Sequence, residues 1–425
     1  MNKSIYRRAR LPVAGAVVLA LAGGTATAIA KSPDKTTPAW TQSWGAALQR
    51  PVAGDEDSQN WSTQGFSKQT LRQVVRMSTG GTRVRVRISN LYGKNVLKVD
   101  GATVGRSASG ALVWPGSSKP LTFGGRAAPV VRPGAEAISD PVSFKTAPLE
   151  KLAITMRFTA PTGPASFHLV GRRASYLASG DHLKDDVTQA YTKTTNASYF
   201  LSGVDVAGGK STGTVVAFGD SLIDGVGSTT DADASLPDLL ANRLAGASRP
   251  LGVVNAGIGG NQLLYSTSCA GDKAVGRFQR DVLDRPGVRA VIVHLGANDI
   301  RESPGDPCLN PAGPPTAQQI IDGQQQLVKA AHAHGIKVVG ATITPMRSAL
   351  FPIWSPRVEK ARVAINKWVR TSGTFDAVLD VDRAMADPAA PDRPLTAYVF
   401  QDGLHPNDTG YQAIFRALDL NRLAR

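Results

Sequence analysis

The sequence predicts an α/β protein: a parallel sheet covered by helices on both faces, preceded by an antiparallel β-sandwich domain of jelly-roll character. Three observations carry that class. From Trp40 to about Val206, short runs alternating polar and apolar residues recur between glycine- and proline-marked turns. After Gly213, short apolar runs alternate instead with helical stretches, the pattern of a sheet buried on both sides. Charge divides at the same place: residues 31–210 carry 23 Lys and Arg against 12 Asp and Glu, whereas residues 211–425 carry 21 of each.

The chain begins with a segment of a different kind. Lys3, Arg7, Arg8 and Arg10 precede the apolar stretch Leu11–Ala22, and Ala28-Ile29-Ala30 offers a small-residue cleavage site. This is the layout of a signal peptide over 1–30, with cleavage near Ala30 and a secreted or periplasmic product. Residues 31–38 read as a disordered leader. No later run approaches the length of a membrane span, so none is expected in the mature protein. Cys269 and Cys308 are the only cysteines, and in an exported protein they predict one disulfide.

The β domain is expected over 39–207. Thr82–Ile88 (Thr-Arg-Val-Arg-Val-Arg-Ile) and Leu152–Phe158 alternate with period two and read as half-buried strands. Arg83, Arg85 and Arg87 then emerge on one face. That row, within a stretch (31–210) with an excess of eleven positive charges, predicts contact with an acidic polysaccharide or the cell envelope. An exported chain without a basic motif is not expected to bind nucleic acid.

Residues 208–425 make the α/β domain, entered through Gly208–Gly213, a linker or tight turn. Strands are expected at Thr214–Phe218, Gly252–Asn255, Ala290–Leu295, Lys337–Ile343 and Ala377–Val381. Helices are expected near Ser235–Ala245, Ala274–Leu283, Thr316–His334, Pro356–Thr371 and Thr409–Leu423.

Parallel sheets carry their functional groups on loops at the carboxyl ends of the strands, and four such loops hold unusual residues. Gly219-Asp220-Ser221 follows the first strand, placing a serine at a strand-to-helix turn beneath free helix N–H groups. Asn255-Ala256-Gly257-Ile258-Gly259-Gly260 follows the second, and its glycines let a backbone N–H approach a ligand closely. Gly296-Ala297-Asn298-Asp299 follows the third, with an amide able to donate to an oxyanion. Asp402-Gly403-Leu404-His405 precedes the last helix, so that Asp402 can orient a His405 that takes the serine proton. Asp220 and Asp299 read as loop scaffolds, His294 as a core histidine, and His168 and His182 carry no partner pattern. Phe351 and Trp354, after the fourth strand, are candidates to line a substrate cleft.

Together, in this order, the four blocks resemble those of the SGNH (GDSL) hydrolases, over roughly half the chain. The resemblance implies a flavodoxin-like, three-layer α/β/α domain with a five-stranded parallel sheet. It implies Ser221 as nucleophile, His405 as general base and Asp402 as its partner. It also implies an oxyanion hole from the N–H groups of Ser221 and Gly260 and the Asn298 side chain, with Gly257 and Gly259 competing for the second place. Neither metal nor cofactor is required. The expected activity is carboxylester hydrolysis by an extracellular carbohydrate O-deacetylase or short-chain acylesterase. The alternatives are a lipase or phospholipase of the same fold, or a surface polyanion-binding protein with a vestigial hydrolase half. Near-matches elsewhere fail on spacing: Gly208-Gly209-Lys210-Ser211 lacks the first glycine of a phosphate loop, and no Gly-x-Ser-x-Gly elbow exists.

Overall fold

Every residue of Thr214–Gly219 is buried, and its side chains alternate between two separate apolar cores. A strand of that kind belongs at the middle of a covered sheet, and there the computed structural model places it. The structure describes residues 40–54, 59–302 and 305–420. The signal peptide and leader expected over 1–38 lie outside the described residues. Among the described residues no helix is long and apolar enough to cross a membrane.

The N-terminal region is all antiparallel strand. Its longer strands are β1 (Thr41–Gly45), β2 (Gln69–Arg76), β3 (Gly81–Ser89), β4 (Gly101–Ser109), β5 (Val142–Thr146), β6 (Lys151–Phe158), β7 (Ser175–Ser179), β8 (Tyr191–Thr195) and β9 (Leu201–Ala207). One sheet runs β1-β9-β3-β5, and a second contains β8-β7-β2-β6-β4 in that order. Val84, Val86 and Ile88 from the first sheet and Leu71, Ile154 and Met156 from the second share one core, giving a β-sandwich-like arrangement.

The alternation read in Thr82–Ile88 is present, but the arginine face is not a free basic surface. Asp205 lies directly across from Arg85 on β9 and is fully buried between Arg85 (2.7 Å) and Arg87 (2.8 Å). Arg87 also meets Glu136 at 3.0 Å, and Arg85 lies over the Trp40 ring. Alternation fixes which face a side chain takes; it does not say what covers that face. The row proposed for an anionic polymer is instead largely committed to internal ion pairs.

The parallel sheet comprises β10 (Thr214–Gly219), β11 (Gly252–Gly257), β12 (Val288–His294), β13 (Lys337–Ala341) and β14 (Ala377–Leu379), in the order β11-β10-β12-β13-β14. This is the flavodoxin-like order, whose switch point lies beside the first strand. On one face pack α3 (Ala274–Phe278), α5 (Ala317–Ala333) and α6 (Pro356–Thr371); on the other, α2 (Leu236–Ala245), α7 (Val381–Met385) and α8 (Asp408–Arg416). Two short helices, α1 (Ser221–Asp224) and α4 (Ala297–Ile300), begin directly after β10 and β12.

Helix starts follow from capping. Ser235, Thr316, Ser355 and Asn407 each accept a backbone N–H of the first turn, and Thr316 with Gln319 completes a capping box. Two helices differ from expectation. The stretch expected at Ala274–Leu283 widens after Phe278 into a π-turn, Gln279–Leu283. That turn carries Asp281, which gathers Arg277, Arg280 and Arg285. The last helix, expected to Leu423, ends at Arg416 with a tightened turn at Ala417.

The two sheet systems meet along β1 and β11. Gln42 N–H donates to the Thr214 hydroxyl at 3.2 Å, and Val253 N–H to Ser78 Oγ at 2.7 Å. A side chain at Gly252 would strike the Gln42 carbonyl at 2.2 Å. Basic residues of the β-rich half face acidic ones of the α/β half: Arg50 with Asp272, Arg76 with Asp233, and Arg173 with Asp238. Part of the charge asymmetry in the sequence is therefore complementarity within the molecule.

Candidate active site

Asp220 caps α1, its carboxylate accepting the Leu222 N–H at 3.2 Å, so Ser221 stands as the first residue of a helix at the carboxyl end of β10. Ser221 Oγ lies 2.8 Å from His405 Nε2, and His405 Nδ1 lies 2.5 Å from Asp402 Oδ2. The other Asp402 oxygen accepts the N–H groups of Leu404 (2.9 Å) and His405 (3.0 Å). Burial works against this carboxylate's charge, but the His405 hydrogen bond and charge and the two N–H groups outweigh it. They hold Asp402 below the usual carboxylate range. Gly403 allows the loop its turn: its φ is +73°, and a Cβ there would meet the Ser348 carbonyl at 2.2 Å.

The block after β11 resolves which glycine is available. Gly259 N–H donates to Asp224 Oδ2 at 2.8 Å and is occupied. The N–H groups of Gly260 and Ser221 have no acceptor among the described residues. Gly260 sits at φ +74°, a conformation that favours glycine. Asn298, on α4, donates one N–H to the Asn261 carbonyl at 3.3 Å, which fixes its amide and leaves the second N–H for a ligand.

These groups border one cavity of about 250 Å³. Ser221, Gly260, Asn298 and His405 line it together with the apolar Leu222, Val226, Met346, Phe351, Ile353 and Leu404. Of the two aromatics expected to line the cleft, Phe351 does so. Trp354 does not: its Nε1 donates to Glu359 at 3.4 Å, Arg347 lies over its ring, and it packs against the core. Cys269 and Cys308 are bonded, joining the loops after β11 and β12.

Asp299 is the expected scaffold, its oxygens accepting Leu263 and Leu264 N–H at 2.8 and 3.0 Å. Burial pushes its carboxyl up to about 6 against the pull of those groups. His294 is buried at the end of its strand, as expected, but it is not only a core residue. It borders the cavity, with Nδ1 2.8 Å from Asp220 Oδ1 and Nε2 unpaired. Its place at a strand's carboxyl end was the available signal.

Two further residues escaped sequence reasoning. Arg277 is fully buried over the Phe218 ring, donating to the Gly219 carbonyl (2.8 Å), the Ala256 carbonyl (2.9 Å) and Asn261 Oδ1 (3.0 Å). It thereby ties together the loops of the first two blocks. His168, expected without a partner, lies 3.0 Å from Asp224.

Residues 217–413 match the family model described as GDSL-like Lipase/Acylhydrolase. No curated protein matches the chain. Several solved structures are similar to about half of it. A GDSL-like lipase from Bacteroides thetaiotaomicron is 17% identical, over 49% of this chain and 87% of its own, with a TM-score of 0.36. The native aryl esterase of M. smegmatis is 16% identical, over 48% of this chain and 95% of its own, with a TM-score of 0.38. An α/β hydrolase from the metagenome of Lake Arreo is 21% identical, over 50% and 95%, with a TM-score of 0.37. Residues 217–413 therefore form a domain of the GDSL-like lipase/acylhydrolase type, which makes this part of the chain a serine hydrolase.

Proposed function

We propose that the protein hydrolyses carboxylic esters with Ser221 as nucleophile, His405 as general base and Asp402 orienting His405. The oxyanion hole consists of the Ser221 and Gly260 N–H groups and the Asn298 amide. The observation that supports this best is the unbroken line from Ser221 Oγ through His405 to Asp402, at 2.8 and 2.5 Å, beside two N–H groups without acceptors among the described residues.

Asp402 accepts from His405 Nδ1–H and so leaves Nε2 free to accept the serine proton. Ser221 Oγ attacks the ester carbonyl, and the three donors take up the charge on the carbonyl oxygen. His405 returns the proton to the departing alcohol. Water, deprotonated by the same imidazole, then releases the acid and restores Ser221.

A short acyl group suits the cavity. Leu222, Val226 and Met346 offer it apolar contact in the same cavity as Ser221 and His405. This favours a short-chain acylesterase or a carbohydrate O-deacetylase. A lipase-like preference for longer chains has one observation behind it: Leu350 is 79% exposed and Phe400 40%, both on the loops that hold Asp402 and His405. Export is proposed from the charged and then apolar residues 1–30, and a disulfide suits an oxidising compartment.

The test is a series of nitrophenyl esters of rising chain length beside acetylated polysaccharides, run on the wild type and on Ser221→Ala. Loss of all turnover in the variant, with preference for acetyl to butyryl esters, is expected. Near-native turnover by Ser221→Ala overturns the assignment. A preference for long chains selects the lipase reading.

A further inference from the structure

Behind the proposed oxyanion hole lies a buried charge pair contributed by both halves of the molecule. His168 follows Phe167 in a short strand paired with Ser198–Tyr199, and is 3% exposed. Its Nδ1 is 2.9 Å from the Ala47 carbonyl oxygen, and its Nε2 is 3.2 Å from the Val170 carbonyl oxygen and 3.0 Å from Asp224 Oδ1. All three neighbours are acceptors only, as long as Asp224 is ionised. A neutral imidazole has a single N–H and would set a lone pair against a carbonyl oxygen; an imidazolium satisfies both sides. Burial opposes the charge, but the Asp224 carboxylate and the two carbonyl groups outweigh it and raise the His168 pKa above its ordinary value.

Asp224 is the hub of the loops that carry the oxyanion donors. It ends the helix that starts at Ser221. Its Oδ2 accepts Gly259 N–H at 2.8 Å, and its backbone carbonyl accepts Asn255 Nδ2 at 3.1 Å. Gly257 passes so close that a Cβ would fall 2.2 Å from the Asp224 N. Asp224 therefore sets the separation between the Ser221 and Gly260 N–H groups. Its Oδ1 meets His168 Nε2 at 3.0 Å and has no other partner among the described residues.

We propose that His168 is a positioning residue: as an imidazolium fixed by the β-rich half, it holds Asp224 so that the Gly259–Gly260 backbone keeps the Gly260 N–H directed at the oxyanion. The inference rests on the proposed roles of Ser221 and Gly260. It assigns the β-rich half a part in catalysis, distinct from carrying a glycan-binding surface.

The test replaces His168 by Gln, which retains a donor but no charge. Turnover of a short nitrophenyl ester is then measured well below the variant's Tm, beside Ser221→Ala. The expected result is a kcat lower by on the order of tenfold with KM unmoved, short of the ~10²–10³ lost when a donor is removed outright. A merely structural contact lowers Tm and leaves kcat alone, and that result overturns the proposal. Nitrogen NMR of the wild-type imidazoles decides independently, even if the variant fails to fold. Both His168 nitrogens protonated at neutral pH supports the proposal, and a neutral tautomer overturns it. If His168→Gln has full activity while Ser221→Ala has none, the positioning role alone fails. Turnover by Ser221→Ala removes both readings.

Discussion

Gly259 N–H donates to the Asp224 carboxylate over 2.8 Å, and this bond leaves Gly260 as the unoccupied donor of its loop. The Asn298 amide, held by the Asn261 carbonyl, faces the same cavity. Neither arrangement needs to move when charge develops on a substrate oxygen, which is the condition for strong electrostatic stabilisation.

Asn298→Ala should therefore lower kcat by about 10²–10³ with little change in KM, because the lost bond forms only in the transition state. Steady-state kinetics on a nitrophenyl ester measures both. A rise in KM with kcat unchanged would make Asn298 a ground-state substrate contact instead.

Phe351 and Trp354 separate binding from packing. Phe351→Ala enlarges the cavity and should raise KM for short esters while extending the chain length accepted. Trp354→Ala should leave KM unchanged and cost about 1–3 kcal/mol, below the 3–5 typical of a fully buried aromatic, since Trp354 is only partly buried. Kinetics and thermal unfolding of the pair check the assignment. Equal KM effects would place both rings at the substrate.

How much of this was legible in the sequence follows from the range of each signal. Ser221, Asn298, Asp402 and His405 stood out because their residue types fall at strand ends or just before a helix, where local pattern and position coincide. The parallel strands were readable from unbroken apolar runs. Arg277 was not, since a charged residue on a short helix looks solvent-facing until the loops it binds fold over it. His168 gave no signal because Asp224, its partner, belongs to the other half of the chain. Adjacency on one loop grouped Trp354 with Phe351, but only packing decides which ring turns inward. Period-two spacing put Arg83, Arg85 and Arg87 on one face correctly, and could not show that Asp205 and Glu136 lay beside it.

Arg277 and Asp281 should dominate acid stability on the cavity side of the sheet. Both are buried, 3.1 Å apart, and Asp281 also meets Arg280 at 2.8 Å. Burial alone would raise the Asp281 pKa, but Arg280, Arg277 and Arg285 hold it down at about 2. The unfolded value is about 3.9, so the folded state releases this proton more readily. Its stabilisation is present above about pH 4 and is lost as pH falls from there through 2. Asp281→Asn should remove that dependence and cost about 3–5 kcal/mol at neutral pH by leaving a buried guanidinium without its carboxylate. Thermal unfolding against pH tests both, and an unchanged acid limb in the variant would refute the assignment.

Ser78 gives a last test, of whether the two sheet systems unfold together. Its hydroxyl is buried at the junction, accepting Val253 N–H at 2.7 Å and donating to the Ser43 carbonyl at 2.5 Å. Ser43 belongs to β1 and Val253 to β11, so one hydroxyl links an antiparallel strand to an edge strand of the parallel sheet. Ser78→Ala leaves the Val253 N–H without an acceptor in a place water reaches poorly, at a cost of about 1–3 kcal/mol. If the junction is an integral part of the fold, that cost falls on the whole molecule. Loss of tertiary signal from the β-rich half and loss of esterase activity should then shift to lower temperature by the same amount. Should the activity midpoint stay in place while the β-rich signal shifts, the halves unfold independently, and the β1–β11 contact is a docking surface between separate domains.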